Sequence, residues 1–593
     1  MREYPVYSAE TECRGCYKCV DHCPVKAIRV RKGRVGVIPE MCIFCGNCVR
    51  SCPASVRKAR NDIEAVKRLL RQGRQAKKCF VSLAPSFASE FFGCTPGQLT
   101  AAIKQLGFFA VSETALGADY VSAKIAADLK EAWNENGGGN GQKLFLSSAC
   151  PAVVLYLKRY ASAFVPYLNN RASPLLAHAQ LLRAWYGEGN GKENGENINV
   201  VFIGPCIAKK READQFKEIS AALTFSELRQ WFYEAGVNPL LMGEMPGDRF
   251  VPRRAAKGAF YPVDGGMIIS MRKYRGFSQT ANMVISGINT IAETLNTVTR
   301  PDGLETPLFL ELLACQGGCV NGPCATRDAS AITRRARLLH YAESADDVLD
   351  GETASRPIPL SGELTATEKQ FARHSPEAIR RALEQTGKYH ENDEINCSKC
   401  GYKNCRDFAA AMLEERAEKA MCAPYMRSLA QKKANGLMNA MPGGVVIVEK
   451  NMRVIECNKN FATLMGGEIE ELYEITDHLA GFNFNTLPQI SAHFEEAFSM
   501  RAEGSFDYDI RVDARILHLN VFVIEKGEIA AGVFTDVTVP QVRRDRTVSK
   551  IKTIIAKNVK TVQKIAFLLG ENAAETEAVL NSIIESYEFT GKR

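Results

Sequence analysis

The sequence has no long apolar segment. No hydrophobic run reaches the roughly 18 residues that a helix needs to cross a bilayer, and the start, MREYPVYSAETEC, has no apolar leader. We therefore expect a cytoplasmic protein with no membrane partner. The excess of positive over negative charge is also small, because the net charge is only +8 over 593 residues. Since no DNA-binding motif accompanies that charge, we expect no nucleic-acid partner.

Cysteine, in contrast, is abundant, with 20 in 593 residues. In a reduced compartment, thiols ligate metals more often than they form a disulfide framework. The length predicts about four domains, each with enough chain for a core of its own. The composition therefore favours an intracellular iron–sulfur protein with several modules.

The spacing Cys-x₂-Cys-x₂-Cys-x₃-Cys-Pro occurs twice, in residues 13–24 and 42–53. It is typical of bacterial ferredoxins, in which the fourth Cys of one copy ligates the cluster of the other. We predict a ferredoxin-like domain over 1–60 that carries electrons through two [4Fe–4S] clusters; a pair of zinc sites is the alternative. The predicted ligands are Cys13, Cys16, Cys19 and Cys52 for one cluster and Cys42, Cys45, Cys48 and Cys23 for the other.

Three short apolar runs, Leu144–Ser148, Val200–Ile203 and Leu308–Leu313, each lead into a cysteine. Their composition and their Gly and Pro boundaries predict buried strands. Strands alternate with helical patterns over 76–345, which indicates an α/β domain. Loops at the carboxyl ends of neighbouring parallel strands converge on one crevice, so we predict a single iron–sulfur centre there. Its ligands are Cys150, Cys206, Cys315 and Cys319.

The motifs around these cysteines resemble those of the [FeFe]-hydrogenase family. SSACP at 147–151 is similar to the family's TSCCP, GPCIAKKRE at 204–212 to its MPCxxKxxE, and LACQGGC at 313–319 to its MACxxGC. LAPS at 83–86 and GAD at 117–119 also fit the family. These motifs occur in the family's order, and the resemblance covers the first 345 residues.

The resemblance implies an H-cluster, which is a [4Fe–4S] centre joined through one Cys thiolate to a two-iron unit with CO, CN⁻ and a bridging dithiolate. Cys319 would be the bridging ligand among the four strand-end cysteines. Lys209 would hydrogen-bond a cyanide, a role that suits an ammonium; an exposed lysine of a basic run is the alternative. The remaining predicted cofactor-binding residues are Pro205, Gly265, Gly266 and Gly318.

The departures from the family pattern concern proton transfer. Catalytic members carry a proton-relaying thiol where this chain has Ala149, and alanine cannot exchange a proton. The stretch that holds relay glutamates reads Lys124–Asp128 here. Glu212 alone matches a relay carboxylate, and a solvated charge is its alternative. We expect slow turnover, a pattern that resembles the sensory branch of the family, as do residues 173–178 and 261–266.

A third ligand set follows at Cys397, Cys400, Cys405 and Cys422, with the spacing Cys-x₂-Cys-x₄-Cys-x₁₆-Cys. It resembles a small [4Fe–4S] module of sensory hydrogenases, which we place at 370–430; a zinc site is the alternative. Residues 406–421 are predicted to be helical. Because the set lies between the hydrogenase domain and the next module, we expect an electron relay.

Residues 433–540 resemble an α+β PAS domain. Residues 453–461 match its strand-to-helix signature, and Ile510–Val512, Ile516–Ile524 and Ile529–Phe534 predict antiparallel strands. PAS domains sense ligands or dimerise. Cys457, the lone cysteine of this segment, is interpreted as a core residue.

The last segment, 541–593, is predicted to be a signalling or dimerisation helix, since apolar residues recur at a and d positions. An amphipathic helix packed on the PAS sheet is the alternative. We find no kinase His motif and no phosphatase motif. The expected output is therefore another protein, a signalling kinase or phosphatase, and the expected assembly is a homodimer.

Together these features predict an α/β multidomain protein that senses H₂: it oxidises H₂ at the H-cluster, passes electrons to [4Fe–4S] clusters and signals through the PAS domain. A ferredoxin-linked catalytic hydrogenase with a regulatory tail is one alternative, with protons and an electron-transfer protein as partners. A non-enzymatic iron–sulfur redox sensor without the two-iron unit is another. Cys324 could replace the missing relay thiol, and a spare core thiol is its other interpretation.

Overall fold

The computed structural model places the chain in two compact units, Met1–Tyr425 and Met426–Arg593. No helix among the placed residues is both long and apolar enough to cross a membrane. The structure describes residues 4–9, 13–76, 78–135, 143–187, 198–274, 281–298, 304, 307–345, 365–368, 372–476, 478–499, 505–538, 549, 550, 552 and 553.

The described chain contains strands in both units. They are β1 (Val6–Ser8), β2 (Ile28–Arg31), β3 (Arg34–Val37), β4 (Arg57–Ala59), β5 (Lys78–Leu83), β6 (Ala110–Glu113), β7 (Leu144–Leu146), β8 (Ile198–Gly204), β9 (Ala221–Thr224), β10 (Ala281–Ser286), β11 (Leu308–Leu313), β12 (Gly444–Glu449), β13 (Val454–Cys457), β14 (Ser505–Val512), β15 (Arg515–Glu525) and β16 (Ile529–Asp536).

The α-helices connect these strands and flank the sheets. Their bounds are Lys18–Asp21, Asn47–Ser51, Ile63–Ala76, Phe87–Glu90, Pro96–Gln105, Thr114–Glu135, Pro151–Tyr160, Pro174–Tyr186, Ala208–Gln215, Phe225–Glu234, Gly266–Met271, Ile288–Thr297, Ala331–Glu343, Pro376–Glu384, Cys405–Leu413, Ala423–Ala440, Lys459–Met465, Gly467–Ile475 and Pro488–Ser499.

The ferredoxin-like arm has an internal two-fold repeat. β1 pairs antiparallel with β4, and β2 pairs antiparallel with β3. Each copy of the cysteine motif forms one short helix, Lys18–Asp21 in the first and Asn47–Ser51 in the second. Tyr17 and Gly46 precede these helices in the left-handed region, with φ of 52° and 78°. The matching backbone in both copies places the cysteines of the two motifs in equivalent positions.

The hydrogenase-like segment contains two parallel sheets. One has the order β6-β5-β8-β9 and the other the order β10-β11-β7. The three predicted strands that lead into cysteines are present, but β8 lies in a different sheet from β7 and β11. The expectation that all three strands are neighbours in one sheet was therefore wrong. Strand pairing is decided by long-range packing, which apolar runs of similar composition do not encode.

The module around Cys397–Cys422 packs on the ferredoxin-like arm. The backbone N–H of Val30 donates to the carbonyl of Arg416 over 3.0 Å, and Arg416 Nη1 donates to the carbonyl of Lys26 over 3.3 Å. The predicted helix over 406–421 is too long, because the structure ends it at Leu413. The chain then reverses at Glu415, whose φ is 54°, and this reversal brings Arg416 to the arm.

The second unit contains an antiparallel sheet of five strands in the order β13-β12-β16-β15-β14. The three strands predicted in this region are present, with longer bounds. Cys457 is 1% exposed in the core of this unit, as expected for a core residue. The predicted helix over 541–593 lies outside the described residues, apart from 549, 550, 552 and 553.

Candidate metal centre

Strand ends and helix starts position the four central thiols. Cys150 caps the helix Pro151–Tyr160, Cys206 follows β8, Cys315 follows β11, and Cys319 begins a single 3₁₀ turn. Ser147 joins β7 to β11 directly beside the site, since its Oγ accepts the backbone N–H of Leu312 over 2.9 Å. The structure therefore brings together cysteines from two sheets.

Burial governs the protonation of these thiols. It raises the pKa of Cys206 to about 11 and the pKa values of Cys315 and Cys319 further still, and the neighbouring thiols add to the rise in each case. Because Cys206, Cys315 and Cys319 are disfavoured as free thiolates, they suit a cationic group that binds them as thiolates. The donor set thus fits an iron–sulfur cluster.

Zinc is the alternative to an iron–sulfur cluster at each cysteine set. Within the described residues, no group of three His, Cys, Asp or Glu side chains lies close enough together to hold one metal ion. In a [4Fe–4S] cluster each thiolate binds a different iron.

A polar atom without a partner also lies at this edge of the sheet. Ser86 follows β5 and is 1% exposed, and its Oγ has no hydrogen-bond partner among the placed residues. β5 pairs with β8, whose end carries Cys206. Because buried hydroxyls are almost always hydrogen-bonded, this orphan fits an additional polar group in the centre.

Lys209 and Glu212 lie next to the thiols and contact each other. Lys209 Nζ is 2.6 Å from Glu212 Oε2 and donates to Ser173 Oγ over 3.1 Å. Its charge lowers the pKa values of Cys206 and Cys319 against the larger effect of burial. Both side chains are buried. Lys209 is therefore not an exposed lysine of a basic run, and Glu212 is not a solvated charge, which were the two alternatives from the sequence.

A cavity of about 440 Å³ adjoins the centre. Ser148 and Pro151, on either side of Ala149 and Cys150, line it together with Ser173 and Glu212, which both contact Lys209. Arg171, which is ion-paired with Asp128, also lines it.

The predicted cofactor-binding glycines shape the backbone around Cys319. Gly318 has φ of 91°, and a Cβ there would lie 2.3 Å from the carbonyl oxygen of Pro262. A Cβ on Gly266 would lie 1.8 Å from the carbonyl oxygen of Phe260. Gly265 has φ of 81° and starts the helix Gly266–Met271. Only glycine fits these close approaches, so these residues position the loop that carries Cys319.

Pro205 joins the Cys206 loop to the loop that follows Cys319. Its carbonyl accepts the backbone N–H of Cys324 over 3.2 Å. A Cβ on Gly322 would lie 3.0 Å from the Cβ of Pro205, so the two loops are in close contact. The Cys324 thiol is buried, which raises its pKa to about 12. The nearby Lys210 lowers that pKa, but the thiol stays protonated near neutral pH, as a spare core thiol does.

The ferredoxin-like arm adjoins the central site through its second ligand set. Cys13 and Cys16 of the first set are exposed, whereas Cys23, Cys42 and Cys48 of the second are buried. Cys45, also of the second set, is close enough to Cys315 to raise its pKa, although burial contributes more. A Cβ on Gly46 would lie 2.5 Å from Pro323. The second set therefore lies nearest to the central thiols.

The third ligand set continues this series. A Cβ on Gly401 would lie 2.9 Å from the backbone nitrogen of Asp21, so the module lies directly against the arm. Tyr402 is 3% exposed, and burial raises its pKa to about 12, with smaller effects from Cys400 and Cys23. One tyrosine thus lies within electrostatic range of thiols from both sets.

The module contains a buried cation that the sequence did not predict. Lys388 is 5% exposed, and its Nζ donates to Cys422 Sγ over 3.2 Å. It also donates to the carbonyl of Thr386 over 3.3 Å. Hydrogen bonds and charge at a ligand sulfur tune the potential of an iron–sulfur cluster. No spacing rule points to Lys388, because it precedes the ligand set and reaches it only in the fold.

The comparisons with known proteins agree with this site. Residues 77–323 match the family model of the iron-only hydrogenase large subunit, C-terminal domain, and residues 5–53 match a 4Fe-4S dicluster domain. Residues 393–424 match a putative Fe-S cluster family. Residues 77–323 belong to the [FeFe]-hydrogenase family. The arm and the module on either side of this segment match iron–sulfur families.

The similar curated proteins are distant. The chain is 25% identical to the periplasmic [Fe] hydrogenase large subunit of Nitratidesulfovibrio vulgaris, over 53% of this chain and 84% of that protein. It is 24% identical to iron hydrogenase 1 of Clostridium pasteurianum, over 53% of this chain and 63% of that protein. A cytosolic Fe-S cluster assembly factor NAR1 homolog from Schizosaccharomyces japonicus is 22% identical, over 36% of this chain and 58% of that protein.

Two kinds of solved structure resemble parts of this chain. A variant of the [FeFe]-hydrogenase HydA1 from Chlamydomonas reinhardtii is 19% identical and covers 48% of this chain and 90% of its own, with a TM-score of 0.40. The PAS domain of BvgS from Bordetella pertussis is 15% identical and covers 21% of this chain and 97% of its own, with a TM-score of 0.16.

Proposed function

We propose that this chain is a cytoplasmic hydrogen sensor that oxidises H₂ slowly. One observation carries the proposal: the four central thiols and Lys209 are kept while Ala149 stands beside Cys150. In the family resemblance, a two-iron unit attached there supplies the chemistry that splits H₂ into protons and electrons. The residues of this chain would then bind that unit through Cys319 and orient it through Lys209.

The proton path supports low turnover. Ala149 packs against the apolar core and has no group that can take a proton. Ile125 and Ala126, where relay glutamates are expected in catalytic members, are both fully buried and apolar. Glu212 Oε2 forms an ion pair with Lys209 Nζ over 2.6 Å, so the charge of the carboxylate is balanced by the ammonium. In this proposal, protons leave the site through the cavity that Ser148 and Glu212 line.

The packing of the first unit supports an electron route. One hydrophobic core contains Cys42 and Cys48 of the arm and Cys422 of the module, with Cys150 and Cys206 packed against it. Electrons from the central site would reach the second arm cluster first and the module next. The exposed first cluster, with Cys13 and Cys16, would exchange electrons with an electron-transfer protein.

The second unit would report the redox state. Its antiparallel sheet and the helices between β13 and β14 support the PAS assignment over 433–540. The proposed output is a signalling kinase or phosphatase, contacted by a homodimer through the segment 541–593. Sensing needs two conformations whose populations differ between redox states.

The test is the turnover of the matured full-length chain. We expect H₂ evolution with reduced viologen to be slow and H₂ oxidation to reduce the [4Fe–4S] clusters nonetheless. Fast evolution, at the rate of a catalytic hydrogenase, would remove the sensory proposal and leave a catalytic enzyme with a regulatory tail.

A second candidate function follows from the similarity to cytosolic Fe-S cluster assembly factors. In that case the chain would be a non-enzymatic iron–sulfur and PAS redox sensor that never receives the two-iron unit. Ala149 fits this candidate too, because a site without H₂ chemistry needs no relay thiol. Cluster reduction by dithionite but never by H₂ would favour it.

A further inference from the structure

Arg57 occupies an unusual position in the ferredoxin-like arm. It starts β4, is 2% exposed, and is among the largest fully buried side chains in the described chain. Charged side chains are almost never buried this completely without an ionic partner. Its neighbour Lys58 is exposed on the same strand, so the burial is specific to residue 57.

The internal repeat shows what residue 57 replaces. Arg57 stands as far after Cys52 as Ile28 stands after Cys23, and Ile28 is 1% exposed. The backbones correspond here too, because Lys26 and Ser55 both have positive φ, of 48° and 52°. An arginine therefore fills a core position that an isoleucine fills in the other copy. Packing alone would be served by the isoleucine.

Arg57 keeps donors that no protein acceptor takes up. Nη1 donates to Ser8 Oγ, and the guanidinium lies within hydrogen-bond reach of the Cys19 thiol. Nε and Nη2, in contrast, are buried and have no acceptor of normal geometry among the described residues. Buried donors without acceptors are costly. Their presence beside cysteine ligands points to acceptors that a bound cluster brings, namely its sulfurs.

The guanidinium lies within hydrogen-bond reach of Cys19 of the first ligand set and within electrostatic range of Cys42 and Cys48 of the second. Burial raises the pKa values of Cys19, Cys42 and Cys48, and the charge of Arg57 opposes the rise in all three. Cys19 belongs to the first set, and the other two belong to the second. The charge of Arg57 also lowers the pKa of Cys52, a ligand of the first set, against burial. One cation thus acts on both clusters.

We propose that Arg57 sets the reduction potentials of both ferredoxin-type clusters. One-electron reduction adds negative charge to a cluster, and a buried cation with free N–H donors stabilises that charge. Arg57 therefore raises both potentials and makes the arm a better acceptor of electrons from the central site. The inference requires only that the arm binds its clusters, so it is independent of the H₂ chemistry proposed above.

The experiment is a redox titration of the full-length chain, followed by EPR, with Arg57→Ile, Arg57→Lys and Lys58→Ile. The arm signals are those lost in Cys16→Ser and Cys45→Ser, and iron content is measured for every variant. In Arg57→Ile we expect the reduction equilibrium constants of both clusters to fall at least tenfold, which is 59 mV for one electron. Arg57→Lys keeps the charge and should stay within threefold of the wild type.

Lys58→Ile removes the same charge one residue away, where solvent screens it, and should leave both potentials unchanged. Arg57→Ile with full iron content and unshifted potentials would overturn the proposal and leave Arg57 a structural residue. If Arg57→Ile loses iron, Arg57→Gln replaces it, since glutamine keeps N–H donors without the charge. A fall in both potentials in that variant supports the proposal, and unshifted potentials overturn it.

Discussion

The central site and the module of the first unit both present four cysteines, but they are built in opposite ways. The central ligands, Cys150 to Cys319, come from strand ends in two different sheets. The module ligands lie within Cys397–Cys422, on loops around the helix Cys405–Leu413. In the central site the lysine pairs with a carboxylate, whereas Lys388 donates directly to Cys422.

This difference separates two tasks. A site whose ligands come from two sheets is fixed by the whole domain and changes little when one side chain moves. A local module with the exposed Cys397 is held by few elements and can exchange electrons at the surface. The comparison teaches that the central ligands are fixed by the packing of the whole domain, whereas the module ligands depend on a few local elements, which suits the electron relay proposed for the module.

The largest expected effect comes from removing one ligand in each region. Cys206→Ser should abolish the central centre, because it removes one of the four thiolates that hold it. Cys397→Ser should cost the module cluster alone. Iron analysis and EPR of the two variants measure this difference. Loss of all clusters in Cys397→Ser would show that the module is not independent.

Ala149→Cys tests the proton path of the central site. Restoring a thiol beside Cys150 should raise H₂ turnover about 100-fold, the lower range for a positioned proton-transfer group. Viologen-linked assays of the matured protein measure the change. Ala152→Cys, which adds a thiol three residues further along the chain in the helix Pro151–Tyr160, is the matched control and should not alter the rate. Equal rates for both variants at normal iron content would contradict the account.

Gly318→Ala tests how tightly the fold holds the Cys319 loop. The added Cβ would lie 2.3 Å from Pro262 O at φ of 91°, which should cost about 3 kcal/mol of stability. Gly33→Ala meets nothing within 4 Å at φ of 70° and should cost about 1 kcal/mol. Denaturant unfolding of the cluster-loaded chain compares the two. Equal losses would mean that the close approach adds nothing.

The smallest expected effect concerns the module. Lys388→Met removes the donor to Cys422 and should lower the module potential by about 59 mV, a tenfold change in its reduction equilibrium. Lys399→Met, which removes a lysine between two ligands of the same loop, is the comparison. A redox titration checks both. No shift in Lys388→Met would mean that this hydrogen bond does not tune the cluster.

The cysteine sets could be predicted from sequence because their spacing is a local property. The repeated spacing in residues 13–24 and 42–53 identifies the arm. The order of the motifs around Cys150, Cys206 and Cys315 identifies the central site. The partition of β7 and β8 into two sheets could not be predicted, since it depends on pairings between distant segments.

The residues that modulate the clusters were missed for a related reason. Lys388 approaches Cys422 only after the chain reverses at Glu415. Arg57 did leave a signal in the sequence, because an arginine stands where the repeat has Ile28. Such a break in an internal repeat is readable once the two copies are aligned, but its burial is visible only in the structure.

The most direct test of the account is the infrared spectrum of the matured full-length chain. Bands of CO and CN⁻ should appear, because the proposed function attaches a two-iron unit to the central thiols beside Lys209. They should disappear in Cys206→Ser and persist in Cys397→Ser. A matured chain with full iron content and no such bands would contradict the hydrogen-sensing account.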